Sequence, residues 1–385
     1  MGFIPVNEPL LDGNEKKYLN ECIDTGWISS EGPFVRAFEE GFAARVGRKY
    51  GIAVCNGTAA LEAAVAALQL PTGSEVIMPS FTIISCAAAV VRAGLIPVLV
   101  DADAATRNMD VGAIEEKISA RTSAIMAVHI YGLPVDMAPV LELARRHGLR
   151  VIEDAAQAHG LSCNAKPCGS FGDLSTFSFY PNKLVTTGEG GIVVTDDAAL
   201  AERCRSLRNL CFQPHKRFVH EELGFNFRMT NLQAALGLAQ LERMDEFALR
   251  KRRIGQRYTE LLAETRGLQL PLSATHYADN IYWVYGVVLD DDAGMDPEQA
   301  MQRLGALGIG TRPFFWPMHE QPVFRKMGLF AGETYPVAER LARRGFYLPS
   351  GLALTEVQLV AVAAALTGLL ADNGLGEEGP GKVTS

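Results

Sequence analysis

Residues 173–191 read Asp-Leu-Ser-Thr-Phe-Ser-Phe-Tyr-Pro-Asn-Lys-Leu-Val-Thr-Thr-Gly-Glu-Gly-Gly, and the single lysine of this stretch, Lys183, organises the rest of the chain. The aromatic residues Phe177, Phe179 and Tyr180, interleaved with Ser175, Thr176 and Ser178, predict a buried strand that Pro181 prevents from continuing. Lys183 therefore sits just past a strand end. Gly188, Gly190 and Gly191 follow, a cluster that lets backbone pass close to a ligand or take positive φ. A lysine held against aromatic walls loses hydration, which lowers its pKa and favours the neutral amine, the form that attacks a carbonyl to make a Schiff base. Taken alone, Lys183 is equally well a surface lysine after a strand.

A partner lies upstream. Residues 151–160 read Val-Ile-Glu-Asp-Ala-Ala-Gln-Ala-His-Gly, an apolar run ending in Glu153 and Asp154 with Gln157 just beyond. In an open parallel sheet ligand groups gather at the carboxyl ends of strands, where Asp154 falls. An acid there and a lysine after a later strand are the two protein groups that a pyridoxal phosphate site requires: one holds the aldehyde, the other keeps the ring nitrogen protonated. The third requirement, a phosphate cradle, is met by Asn56-Gly-Thr-Ala-Ala-Leu61, where a strand over 50–55 gives way to an alanine-rich helix over 58–70. Helix-start N–H groups bind phosphate, and Gly57 and Thr58 permit close approach and add a hydroxyl. By itself, Asn-Gly-Thr is also an ordinary turn and helix cap.

From Tyr50 onward apolar runs alternate with helical stretches: strands over 50–55, 75–78, 96–100, 122–130 and 150–154, helices over 58–70, 82–93 and 136–147. This alternation predicts an α/β fold, a mostly parallel sheet with helices on both faces. Further on, 191–195 reads as a strand and 197–210 as a helix, and a long amphipathic helix over 231–263 is capped by Thr230 or Asn231. The charges of that helix, including Arg250–Arg253, read as a solvated face. The remainder, 265–372, is smaller and mixed, with strands over 281–289 and near 309–312 and helices over 297–307, 337–344 and 355–370. Asn7–Ile23 has helical spacing, and 373–385, with four glycines and a proline, reads as a disordered tail.

The chain has 385 residues, 48% of them hydrophobic, enough for one large domain and a smaller one. A net charge of −8 argues against a nucleic-acid partner. The start shows no secretory signal and no apolar run approaches membrane-spanning length, so a cytoplasmic protein is expected. Seven scattered cysteines without a Cys-x-x-Cys indicate neither a disulfide framework nor a metal site. His129, at a strand end, reads as a hydrogen-bonded structural residue in preference to a base, whereas His159 is near enough to Asp154 to help set it.

Five ordered motifs now stand together: Asn56-Gly-Thr-Ala-Ala-Leu61, Pro79-Ser-Phe-Thr82, Glu153-Asp-Ala-Ala-Gln-Ala-His-Gly160, Phe177-Ser-Phe-Tyr-Pro-Asn-Lys183 with Thr187-Gly-Glu-Gly-Gly191, and Gly224-Phe-Asn-Phe-Arg-Met-Thr-Asn-Leu-Gln-Ala-Ala235. Over most of its length the chain resembles the DegT/DnrJ/EryC1/StrS sugar aminotransferases. The resemblance implies the fold type I of pyridoxal phosphate-dependent transferases, with a seven-stranded sheet in a large domain (1–245) and a smaller α+β domain (246–372). It implies a homodimer with shared active sites, in which Lys183 is catalytic and carries the cofactor. Gly57, Thr58, Ala59, Ser178 and the neighbouring subunit's copy of Asn226 would hold its phosphate, Phe81 would stack on its ring, Asp154 would hold the ring nitrogen's proton and Gln157 would lie near the phenolic oxygen. L-glutamate would leave the cofactor as pyridoxamine phosphate. The acceptor would be a nucleotide-linked 4-keto-6-deoxyhexose on the way to O-antigen polysaccharide, with GDP-4-keto-6-deoxymannose ahead of dTDP- or UDP-linked 3- or 4-keto sugars. Trp27, Ser29, Arg228, Arg312 and His319 are the candidate substrate contacts. On composition alone they also fit a core anchor, a turn hydroxyl, an exposed loop and a rigid proline-flanked segment. A related dehydratase class has His at the Schiff-base position, so Lys183 disfavours dehydration. A cofactor-binding regulator without turnover would be expected to add a basic DNA-binding segment, and none is legible.

Overall fold

The computed structural model describes residues 2–213 and 215–374. In chain order its strands are β1 (Tyr50–Val54), β2 (Glu75–Pro79), β3 (Ile96–Val100), β4 (Thr122–Val128), β5 (Arg150–Asp154), a short hairpin of β6 (Ser162–Cys163) and β7 (Lys166–Pro167), β8 (Leu174–Ser178) and β9 (Gly191–Thr195). All but the hairpin form one sheet in the order β1-β9-β8-β5-β4-β2-β3. From β8 to β3 every neighbour is parallel, and β9 alone runs against both of its partners. β2 and β9 are buried along their whole length, as expected of strands covered on both faces.

The covering helices are α1 (Glu15–Thr25), α2 (Pro33–Arg45), α3 (Gly57–Ala67), α4 (Ile84–Arg92), α5 (Met137–His147), α6 (Ala198–Arg208), α7 (Asn231–Leu241) and α8 (Met244–Leu262). α3 packs on β8 and β9, α5 on β4 and β5, and α2 on β1 and α7. The carboxyl ends of β5 and β8 and the start of the reversed strand β9 meet at one edge of the sheet: Asp154 pairs with Thr176, and Ser178 pairs with Gly191.

A second, antiparallel sheet, β10 (Leu268–Gln269), β11 (Tyr285–Leu289), β12 (Arg312–Pro313) and β13 (Gly345–Leu348), has the order β10-β11-β13-β12. Its helices are α9 (Pro297–Ala306), α10 (Pro322–Lys326), α11 (Pro336–Arg344) and α12 (Glu356–Gly374). Residues 375–385 of the expected tail lie outside the described residues, and 373 and 374 close α12. Two main hydrophobic cores result, and α8 enters both: Met244, Phe247 and Ala248 pack in the first, Ile254, Tyr258 and Leu262 in the second.

Three sequence expectations need correction. The first helix begins at Glu15, eight residues late, because Pro9 has no N–H to donate and the Gly13 amide is taken by the Glu15 carboxylate at 2.7 Å. The long helix over 231–263 is two helices, broken at Glu242 and Arg243. Gln240 donates to Leu10 O and Glu15 Oε1 at 2.9 and 2.6 Å, and Asn14 donates to the Glu242 carboxylate at 2.7 Å, so the N-terminal segment is fastened at this joint. The charge run after it is not wholly solvated: Lys251 is 2% exposed and donates to Trp283 O at 2.8 Å and to Ser350 O. Thr230 is the cap of α7, in a reciprocal box with Gln233 worth about 1 kcal/mol. Among the described residues no helix is long and apolar enough to cross a membrane.

Candidate active site

Two large cavities open on the surface. The larger, about 700 Å³, contains Arg203, Arg205, Arg208 and Arg228 beside Ser30 and Glu31, but neither Lys183 nor Asp154. The other, about 650 Å³, lies at the sheet edge where β5, β8 and β9 meet and gathers Lys183, Asp154, Gln157, Ser178 and the start of α3. Chemistry, and not size, picks the second.

Lys183 closes a β-turn: its N–H donates to Tyr180 O at 2.8 Å, with Pro181 in the second turn position that its fixed φ suits. The lysine Nζ lies 3.9 Å from the centre of the Trp283 ring, and the indole N–H donates to Asn182 O at 2.7 Å, which pins the ring to the same turn. Burial lowers the Lys183 pKa to about 8, against the opposing pull of the Asp154 carboxylate. Asp154 is 2% exposed, and burial raises its pKa. The shift is opposed by the Ala156 N–H, which donates to Oδ1 at 3.0 Å, by the Cys86 thiol, which donates to Oδ2 at 3.2 Å, and by the charge of Lys183. Acid and amine thus face one cleft with each moved toward its neutral form.

Gly57, Thr58 and Ala59 line the cleft at the start of α3, where the helix dipole is positive. The Ala59 amide donates to Asn56 Oδ1 at 2.8 Å, so the cap consumes it, and Thr58 Oγ1 is 2.9 Å from Ser85 Oγ. A Cβ on Gly57 would lie 2.6 Å from Ser178 Cβ, and one on Gly191 would lie 2.4 Å from Asn56 O. The helix start, β8 and β9 touch as closely as glycine allows. Gln157 is buried, with Oε1 accepting from the Tyr131 N–H at 2.6 Å, which leaves its NH₂ for the cleft. Thr176 Oγ1 and Asn182 Oδ1, both on lining residues, are buried without a protein partner, as expected where a polar ligand completes the bonding. The residues present therefore fit an aldehyde cofactor with an aromatic nitrogen and a phosphate.

Phe81 does not reach this cleft. It is wholly buried, with Tyr131, Phe314 and Phe315 rings centred 5.9, 6.0 and 6.0 Å away, so it has no free face to stack on a ligand. Ile83, two residues on and 39% exposed, lines the cleft instead. His319 is also diverted: it is 1% exposed, its Nε2 bonds Glu339 at 3.0 Å, and it is not a lining residue. Arg312 is exposed on β12 and donates to the Thr311 carbonyl. Asn226 is exposed and bridges to Asn209, and Arg228 donates to Asn209 Oδ1 at 2.8 Å on the wall of the larger cavity. Trp27 and Ser29 are exposed, their carbonyls holding Asn231 Nδ2 at 2.7 Å and the Asn231 N–H at 2.6 Å. Within one chain these five stand outside the cleft.

His129 is structural, as its sequence position suggested. The Val135 N–H donates to its Nδ1 at 3.1 Å, so Nε2 carries the proton and donates to Glu153 Oε1 at 2.9 Å. Glu153 also accepts from the Gly169 and Phe171 N–H groups and from Ser175 Oγ at 2.7, 3.0 and 2.8 Å. The ligand-type atoms of His129, Glu153 and Cys168 lie within 4.8 Å of one another, but hydrogen bonds to protein already occupy the imidazole and the carboxylate. His159 makes no hydrogen bond to Asp154. Its ring packs against Phe42, Phe177 and Phe179, and burial lowers its pKa to about 3.

Sequence reasoning missed Ile83, Trp283 and Cys86. The shift from Phe81 to Ile83 is set by how the chain leaves β2, and Trp283 meets Asn182 only through the tertiary fold. Gly57→Ala tests the cradle. The inserted methyl should cost about 1–3 kcal/mol of overpacking, read as a lower Tm together with weaker pyridoxal phosphate binding. Unchanged affinity would remove the start of α3 from the phosphate's position.

The DegT/DnrJ/EryC1/StrS aminotransferase family matches residues 9–367. The GDP-perosamine synthase of Caulobacter vibrioides is 44% identical over 367 residues, covering 95% of this chain and 98% of that one. The GDP-perosamine synthase of Escherichia coli O157:H7 is 40% identical over 372 residues, covering 97% of this chain and all of the other. Among solved structures, DesI in the presence of its TDP-sugar product superposes with a TM-score of 0.86 at 34% identity, covering 96% of this chain and 93% of DesI. With a match from near the first helix to the last, the chain belongs to the DegT/DnrJ/EryC1/StrS family and is a pyridoxal phosphate-dependent sugar aminotransferase.

Proposed function

We propose that the chain moves an amino group from L-glutamate to C4 of GDP-4-keto-6-deoxymannose, giving GDP-perosamine for O-antigen polysaccharide. The observation that carries the chemistry is the meeting of Lys183, Asp154 and the start of α3 in one cleft. Likeness to two GDP-perosamine synthases at 44% and 40% identity supports the choice of acceptor.

In this reading the cofactor, when bound, supplies an aldehyde that takes up the amine and a ring that accepts electrons. Lys183 would hold it covalently and, once freed, would carry the proton between the substrate carbon and the cofactor's reactive carbon. Asp154 would hold the ring nitrogen's proton, Gln157 would meet the phenolic oxygen, and Ile83, which lines the cleft where Phe81 does not, would cover the ring. Gly57, Thr58 and Ser178 hold the phosphate, and the capped Ala59 amide supports their turn. Trp283 packs against the lysine and excludes water from it.

The same reading makes the enzyme a cytoplasmic homodimer with shared sites. Among the described residues lining the cleft, Lys183 is the one cation, although glutamate and a nucleotide diphosphate bring several negative charges. A second copy would supply Asn226, Arg228, Trp27 and Ser29. The segment before Asn226 offers exposed apolar residues for such a contact, with Phe218 82% and Leu223 94% exposed. Residues 1–245 form the large domain and 246–372 the small one; apart from Ile4 the second core is drawn from 246–372, while the first also takes in Phe247, Phe314 and Leu341 from beyond 245.

The test is to load the protein with pyridoxamine phosphate and add GDP-, dTDP- and UDP-linked 4-keto-6-deoxyhexoses in turn. Absorbance of the aldehyde form of the cofactor should return with the GDP sugar alone. Its return with a dTDP or UDP sugar only would reassign the acceptor.

A further inference from the structure

Beside Asp154, and not itself a lining residue, stands a thiol that the reading above leaves unused. Cys86, in the first turn of α4, is fully buried, with Sγ 3.2 Å from Asp154 Oδ2 and 3.5 Å from Thr82 Oγ1. A carboxyl is a stronger acid than a thiol by about four to five pKa units, so the shared proton belongs to sulfur. Burial and the adjacent carboxylate push the thiol pKa further up. The S–H therefore donates to Oδ2, and the Thr82 hydroxyl is left to donate to sulfur. With the Ala156 N–H on Oδ1 at 3.0 Å, each carboxylate oxygen has one protein donor, and rotation of the carboxylate would break both bonds. The other titratable groups facing Asp154 are Lys183, from the 180–183 turn, and His129, from the end of β4.

We propose that Cys86 is a positioning residue for Asp154: its S–H fixes the carboxylate plane and keeps it ionised, so that the remaining lone pair on Oδ2 meets the ring nitrogen of the cofactor. The proposal rests on the assignment of Asp154 to that nitrogen. A thiol is a weak donor, so it orients the carboxylate while withdrawing little of its basicity.

The experiment compares wild type, Cys86→Ala and Cys86→Ser for binding of pyridoxal phosphate and of its 1-deaza analogue, in which CH replaces the ring nitrogen. C86A should weaken pyridoxal phosphate binding by about three- to tenfold, the worth of one neutral hydrogen bond, and leave the deaza analogue unaffected. C86S, which restores a donor, should stay within about twofold of wild type. Equal loss of both ligands in C86A would assign Cys86 to packing alone and overturn the proposal. So would unchanged binding of pyridoxal phosphate by C86A, or a C86S variant as weak as C86A. If wild type itself fails to distinguish the two ligands, the Asp154 assignment fails, and the proposal falls with it by a separate route.

Discussion

Lys183→Ala should abolish amino transfer from glutamate and to the sugar alike. The turn that presents Lys183 is closed by backbone and by Pro181, so the variant is expected to fold with its cleft in place. What it loses is an amine with a pKa near 8 held over the Trp283 ring. A positioned proton-transfer group contributes about 10²–10⁴-fold to a rate, and loss of the covalent hold on the cofactor adds to that. Turnover should fall below detection in a coupled assay for 2-oxoglutarate; full activity would sink the assignment. The lowered pKa gives the wild type a pH signature. A base whose pKa falls is neutral at lower pH, so the reactivity of the Lys183 amine toward an aldehyde should rise between about pH 7 and 9 and level off above. An ordinary lysine would still be gaining reactivity at about pH 10.

Asp154→Asn should be nearly as damaging, for a different reason. The amide keeps the size of the side chain but has no charge to hold a proton on the ring nitrogen. Loss of one charge-assisted hydrogen bond, about 1.5–3 kcal/mol, weakens cofactor binding by about ten- to a hundredfold. Removing a preorganised electrostatic partner costs about 10²–10³-fold in kcat. Steady-state kinetics at saturating pyridoxal phosphate separate the two effects. A D154N rate within threefold of wild type would mean that the ring nitrogen does not depend on this carboxylate.

Much of this was legible in the chain because the buried strands of the large sheet are short apolar runs cut by turn residues. β3, β5 and β9 fall on the predicted residues. The lysine, the acid and the helix start were legible together because each sits at the end of such a run. Orientation was not. Nothing in Pro79-Ser-Phe-Thr-Ile83 tells which apolar side chain turns into the cleft once the strand has ended; Phe81 is buried away from it and Ile83 lines it. His319 lies among aromatic and basic residues that suggest phosphate recognition, yet Glu339 on α11 draws it into the core. Lys251 was hidden in a charge run because two carbonyls, with no acid beside them, are what bury it. Trp283 and Cys86 serve the site through partners 101 and 68 positions away, a distance at which local pattern carries no signal.

The reversed strand β9 also sets an order of assembly. β1 is an edge strand whose one partner in the sheet is β9, with Tyr50 opposite Thr195. Synthesis runs from the N-terminus, so the ribosome delivers residues 50–54 long before their partner exists, and pairing so distant in sequence is slow to form. The proposed phosphate cradle hangs from the end of β1, where Gly191 closes against Asn56. Cofactor capture is therefore expected late in the folding of the large sheet.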